Sequence, residues 1–196
     1  MQIALDYIFL IITIGSSISI LLGRNWKWLL VFLASQYLGV FWFVHLTWPL
    51  SLAIIKLISG LIVCIILAFY SEAYDVHSLR DTSWPQGIIF RIFAAGLISI
   101  STLAISTQAS LWIGISNTTA MWIGLFLIGM GILQLGITAQ TERVIIALLT
   151  LLSGFEIIYS FVETSSLVAA LLVAINIGLA VVGVYLHLMD QRDDTQ

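Results

Sequence analysis

Charged residues are scarce in this chain. Lys, Arg, Asp and Glu make up 9% of its 196 residues, whereas a soluble domain carries about 25%. Hydrophobic residues account for 61%, and the mean hydropathy is +1.12. A chain of 21.7 kDa cannot enclose that much apolar surface in its own interior. The composition therefore excludes a water-soluble domain and a disordered chain, and it indicates an integral membrane protein.

Proline, cysteine and histidine are also rare. Two prolines and 14 glycines among long apolar runs favour membrane helices over a barrel, whose strands alternate apolar and polar residues. The single cysteine, Cys64, excludes an internal disulfide and a cysteine-ligated metal or iron–sulfur site. The three histidines are far apart in the sequence. We therefore expect no haem, no zinc and no other cofactor.

Several functional motifs are missing as well. The sequence has no GxxxxGK[ST] phosphate loop, so we do not expect it to hydrolyse ATP. It has neither an HExxH nor a GxSxG motif, so no catalytic centre is expected. The net charge is −3 and no basic patch is present, which excludes nucleic acid as a partner.

Seven apolar stretches are long enough to cross the hydrocarbon core of a lipid bilayer, which takes about 20 residues. No basic region precedes the first stretch and no cleavage site follows it, so we interpret it as a membrane span and not as a signal peptide. One hydrophilic connection covers residues 71–86, and the segment 107–118 is predicted to lie at the membrane interface. The predicted spans are 3–22, 29–47, 49–70, 87–106, 119–138, 144–163 and 165–188.

The basic residues fall on one side of the predicted membrane when the spans are followed in order. Arg91 lies in the first turns of the fourth span, from which its side chain reaches the same side. Because cytoplasmic loops carry an excess of Lys and Arg, we predict a multi-pass protein of the inner (plasma) membrane, with the N-terminus outside and the C-terminus in the cytoplasm. The other residues on the basic side are Arg24, Lys27, Arg80, Arg143 and Arg192.

A weak internal repeat with an offset of 115 residues aligns Gly39 with Gly154 and Tyr70 with Tyr185. It suggests two three-helix units in parallel orientation, joined by one extra span. The predicted fold is all-α, with seven transmembrane helices in a 3+1+3 arrangement. The first unit covers 1–70 and the second 119–188; a cytoplasmic loop, linker helix and interfacial segment cover 71–118, and a short cytoplasmic tail covers 189–196.

Two ionisable residues lie at membrane depth, where burial is costly and usually marks function. Lys56 is seven residues inside Pro49, and Glu156 is seven residues before Glu163. At 1.5 Å per residue both lie roughly 10 Å below the outer boundary. We therefore expect the two side chains to face a common interior path, directly or through water. The functional hypothesis is a relay of protonatable groups; the alternative is a static ion pair that only fixes helix packing.

Other polar side chains extend this candidate proton path. Ser153, Glu156, Tyr159, Ser160 and Glu163 recur at steps of three and four residues, which places them on one face of the sixth helix. This stripe either leads protons from the outer surface to mid-membrane or makes hydrogen bonds between helices. Two amides within predicted spans belong to the candidate set, although a packing role is their simpler interpretation. They are Gln36 and Asn176.

The stretch 143–186 resembles the small K subunit of bacterial respiratory complex I. The matching segments are Gly154-Phe155-Glu156-Ile157 and Ile177-Gly178-Leu179-Ala180, with Arg24-Asn25 before the second span. The whole layout is also similar to component E of hydrogenase-4-type complexes, which looks like a duplicated K-subunit unit with seven spans. Ile54-Ile55-Lys56-Leu57 stands where that family has Ile-Thr-Lys-Val.

This resemblance implies a membrane subunit of a complex I- or hydrogenase-related assembly. Such a subunit carries part of a proton path, holds no redox cofactor and contacts larger antiporter-like and redox membrane subunits in the lipid bilayer. Glu156 matches the first buried glutamate of the K subunit, but Ala174 stands at the second and Phe41 at the counterpart of Glu156 in the first repeat. Lys56 or a neighbouring subunit would have to supply the missing group.

Two other functions remain open at the level of sequence. A stand-alone secondary transporter would need a substrate cavity lined by the buried amides, and it would need to form a dimer. A structural scaffold would use the buried charges only to hold its helices together.

Overall fold

The computed structural model of the protein describes residues 2–73, 87–115, 117–138 and 140–193. Within these ranges the chain forms seven α-helices joined by short connections. The predicted hydrophilic connection lies mostly outside the described residues. The helices are α1 (Gln2–Leu22), α2 (Trp26–His45), α3 (Leu50–Ala73), α4 (Ile88–Ile113), α5 (Thr118–Ile137), α6 (Thr141–Val162) and α7 (Ser166–Asp193).

All seven helices of the described ranges are long and apolar enough to span a membrane. Their outward surface is apolar too: Ile89 is 85% exposed, Trp112 83% and Leu167 74%. Large apolar side chains in such number are stable at a protein surface only when lipid or another apolar protein surface covers them. The prediction of an all-α, seven-helix membrane protein is confirmed.

The fourth helix is longer than predicted. It was expected to end near residue 106, with 107–118 at the interface, but α4 continues to Ile113. The helix has no breaker after Thr107 until Gly114, which adopts the left-handed conformation (φ 81°) and ends it. Two other bounds also differ: α2 begins at Trp26 instead of residue 29, and α7 runs into the predicted tail as far as Asp193.

The middle helix of each predicted three-helix unit contacts the other two helices of that unit. Helix α2 packs on α1 and α3, just as α6 packs on α5 and α7. A Cβ atom added to Gly39 would meet the backbone of Phe9 and the side chain of Thr13. One added to Gly154 would meet the backbone of Gly124 and Ile128, the residues that follow Phe9 and Thr13 by the same 115 positions. The repeat therefore aligns equivalent close approaches between helices.

Four helices from the two units enclose a common interior. Contacts run in a closed ring from α2 to α3, from α3 to α7, from α7 to α6 and from α6 back to α2. Helix α4 lies outside this ring, against α1 and α5. Arg24, Lys27, Arg91 and Arg143 lie at one end of the bundle, which we call the basic end. The interior of the four-helix ring contains the candidate site.

Candidate functional site

Lys56 of α3 and Glu156 of α6 form a buried ion pair. The Nζ atom of Lys56 donates to Oε1 of Glu156, and the side chains are only 4% and 3% exposed. The two residues are 100 positions apart in the sequence. The structure thus brings them into direct contact, as their equal predicted depth suggested.

Asn176 of α7 completes the cluster. Its Nδ2 donates to the same Oε1 atom of Glu156 at 2.8 Å. Lys56 and Asn176 therefore bind the same carboxylate oxygen from two different helices. The cluster joins α3, α6 and α7 at one buried atom.

The cluster lies between two apolar layers. Towards the end opposite the basic end, the side chains packed around α2, α3 and α7 include Val44, Trp48, Ala53 and Ala169. Towards the basic end, the interior is filled by another group of apolar side chains. These are chiefly Leu29, Leu33, Val63, Leu67, Ile146 and Leu149. Since both layers are mainly aliphatic, the charges of the pair depend on each other and on the Asn176 amide.

The polar stripe on α6 divides into two parts. Ser153 and Ser160 are buried, and their hydroxyls donate to backbone carbonyls of the same helix, those of Leu149 at 2.8 Å and Ile157 at 2.7 Å. Each hydroxyl uses its proton in a bond to its own helix, so the lone pairs of its oxygen can still accept a hydrogen bond from another donor. The structure does not place the stripe in one continuous hydrogen-bonded chain with the ion pair.

Tyr159 and Glu163 lie nearer the end of α6 and away from the pair. Tyr159 is half-buried and stacks on Phe155, with ring centroids 5.9 Å apart. Glu163 is exposed and ends the helix. Its carbonyl oxygen accepts a hydrogen bond from the Trp48 indole at 3.0 Å. Both residues therefore lie outside the cluster.

Gln36 of α2 is fully buried, and both polar atoms of its amide lack a hydrogen bond to any residue that the structure describes. Thr150 of α6 shows the same feature at Oγ1. Buried polar groups in membrane helices usually find partners. These two side chains are therefore buried polar groups that lie between the level of Glu156 and the basic end.

Sequence analysis missed Tyr37, which neighbours the pair. Its ring packs against Gly60, one turn from Lys56 on the same face of α3. Its side chain is buried among the apolar residues that fill the interior towards the basic end. A tyrosine inside an apolar helix carries no sequence signal for this position, because the glycine that admits its ring belongs to another helix.

A second polar region lies at the basic end and is separate from the pair. Arg91 donates from Nη1 to the Leu21 carbonyl at 3.1 Å, and Arg143 from Nη2 to the Gly23 carbonyl at 2.7 Å. These bonds satisfy carbonyls at the C-terminal end of α1. The adjacent cavity, which Gln134 also lines, measures about 20 Å³, enough for one water molecule. We interpret this region as a structural link between α1, α4 and α6.

No group of His, Cys, Asp and Glu within the described ranges has the arrangement of a metal site. The fold and the buried pair thus define a seven-helix membrane protein with a charged interior. Comparison with known proteins finds no matching family model, no similar curated protein and no similar solved structure.

Proposed function

We propose that this chain is a membrane subunit that contributes part of a proton path to a larger ion-translocating redox complex. The observation that carries the proposal is the buried cluster of Lys56, Glu156 and Asn176 inside the four-helix ring. An ionisable pair at membrane depth is costly and is generally retained for proton or ion transfer. Glu156 is the proposed carrier and Lys56 the group that changes charge with it.

The resemblance to the K subunit of complex I and to component E of hydrogenase-4 supports the same proposal. In this assignment the membrane is the inner (plasma) membrane and the basic end of the bundle faces the cytoplasm. The concentration of Arg24, Lys27, Arg91 and Arg143 at that end supports this orientation. The partners are larger antiporter-like and redox subunits that hold the cofactors.

The decisive experiment compares wild-type protein with Glu156→Gln in the native complex, purified in mild detergent and identified by mass spectrometry of its subunits. Gln keeps an oxygen that can accept the Asn176 bond, but it cannot bind or release a proton. We expect electron transfer to persist while the number of protons moved per electron, measured in proteoliposomes, falls strongly.

Asp6→Asn is the matched control, because it makes the same carboxyl-to-amide change at the end of α1. Asp6 accepts a hydrogen bond from Trp42 at 2.8 Å, and an amide oxygen can accept it too. An assembled Glu156→Gln complex with an unchanged proton-to-electron ratio would overturn the proposal in favour of a scaffold. Purification of the chain as a lone oligomer that transports a solute would favour the secondary transporter.

A further inference from the structure

We propose that the cavity at the basic end is a binding site for one small monovalent anion, with the size and charge of chloride. Its charged and amide side chains are those of Arg91, Arg143 and Gln134. Residues of α1, α2, α4, α5 and α6 line the cavity, so a bound anion links helices that otherwise meet only at their ends. The site is separate from the buried ion pair, and it does not depend on the proposed proton path.

The polar side chains around the cavity are rich in hydrogen-bond donors. A guanidinium has five N–H donors and no acceptor, so Arg91 and Arg143 can each bind a backbone carbonyl and a ligand together. Gln134 is 6% exposed, and its Nε2 atom has no acceptor among the described residues. The carbonyl of Leu21, which also lines the cavity, already accepts from Arg91 at 3.1 Å. An anion only accepts hydrogen bonds, so it fits this lining better than a water molecule, which must also donate.

The balance of charge at the cavity also favours an anion. Arg91 and Arg143 are only 3% and 7% exposed, and a buried cation is costly without negative charge nearby. The carbonyls at the end of α1 supply about half a negative charge. Glu142 supplies one more beside Arg143 in the sequence, but it does not line the cavity, and Arg24 adds a further positive charge at this end. The positive groups therefore exceed the negative ones, and a monovalent anion reduces the excess.

The size of the cavity selects a small ion. Its volume of about 20 Å³ admits one group of the size of a water molecule. Chloride and bromide are only slightly larger than water, whereas a sulfate ion or the phosphate group of a lipid is far larger. The apolar part of the wall keeps the local dielectric low, which strengthens the attraction between the ion and the guanidinium groups. This part consists of Ile20, Leu21, Leu29, Ile137 and Ile146.

The test measures thermal unfolding of the full-length chain, purified in mild detergent, while chloride replaces gluconate at constant ionic strength. Once the site is mostly occupied, each tenfold increase in chloride should raise the melting temperature by about 3–6 °C. Bromide should have the same effect. In crystals grown with bromide, which scatters X-rays anomalously, an anomalous peak should lie between Arg91, Arg143 and Gln134.

Gln134→Leu removes the amide donor and should weaken the affinity for chloride by about tenfold or more, which moves the response to higher chloride. The matched control is Gln36→Leu, which makes the same change at a buried amide that does not line the cavity; it should keep the wild-type response. Equal melting temperatures of the wild type in chloride and gluconate, or an unchanged response of Gln134→Leu, would overturn the anion site. If Gln134→Leu does not fold, the absence of a bromide peak in the wild-type cavity would overturn it.

Discussion

At the scale of single residues, burial of the Lys56 and Glu156 charges is unfavourable, whereas the contact between them is stabilising. Each charge is buried, so each depends on the other for compensation. Removal of one partner leaves an isolated charge in an apolar interior, whereas removal of both leaves two neutral side chains of similar size. The stability of the protein should therefore respond to the two substitutions in a non-additive way.

We predict that Lys56→Met and Glu156→Gln each destabilise the protein, by about 3–5 kcal/mol if the remaining group stays charged. The double variant should lose less than the sum of the two, with an interaction energy of about 1–3 kcal/mol. Thermal unfolding of the four proteins in one detergent gives this cycle. Additive losses would contradict a direct pair.

The pair was predictable from sequence, because two charges at equal depth in separate apolar helices have few other partners. The sequence predicted that Asn176 is a buried amide, but it did not predict the contact with Glu156. That contact depends on how α7 is rotated about its own axis. Tyr37 was not predictable. Its place depends on Gly60, and no pattern within α2 distinguishes its buried hydroxyl from that of an ordinary aromatic packing residue.

At the scale of helices, α5 and α6 pack backbone to backbone at Gly154. A Cβ atom there would lie 2.5 Å from the carbonyl oxygen of Gly124 and 2.8 Å from the backbone nitrogen of Ile128. Backbone atoms cannot move aside as a side-chain end does. We predict that Gly154→Ala forces the two helices apart and lowers the stability by about 1–3 kcal/mol.

Gly178→Ala is the control for this prediction. Gly178 also lies within a helix, α7, but a Cβ atom there would meet nothing within 4 Å. Because alanine favours helices over glycine, this variant should equal or exceed the wild type in thermal unfolding. Equal melting temperatures for the two variants would show that α5 and α6 accommodate the added methyl group without loss of stability, and would contradict the prediction.

Helix ends were harder to predict than helix cores. The hydropathy of segment 107–118 predicts that the fourth span ends near residue 106. Hydropathy does not end a helix, however, because a helix ends where helical backbone geometry is lost. The left-handed Gly114 supplies that loss, and its N–H bonds back to the Ser110 carbonyl at 2.9 Å. The positive φ of a single glycine cannot be deduced from hydropathy.

At the scale of the whole molecule, the predicted repeat does not extend to the buried ion pair. In the sequence alignment with an offset of 115 residues, Phe41 aligns with Glu156 and Leu171 aligns with Lys56. Leu171 is 54% exposed, so the counterpart of Lys56 faces outward and has no buried partner to meet. The close approaches at Gly39 and Gly154 recur at the 115-residue offset, but the ion pair does not.

The uneven distribution of charge between the two ends of the bundle predicts its orientation. Gly87 lies at the basic end and Thr164 at the opposite end, and both are exposed. Cys64 is the only cysteine of the chain, so Cys64→Ala gives a background for single reporters at these positions. In intact cells, a membrane-impermeant maleimide should label the Thr164→Cys variant and should label Gly87→Cys only after the membrane is opened. Basic residues favour the cytoplasmic side because they resist translocation. The reverse pattern of labelling would therefore contradict the proposed cytoplasmic position of the basic end.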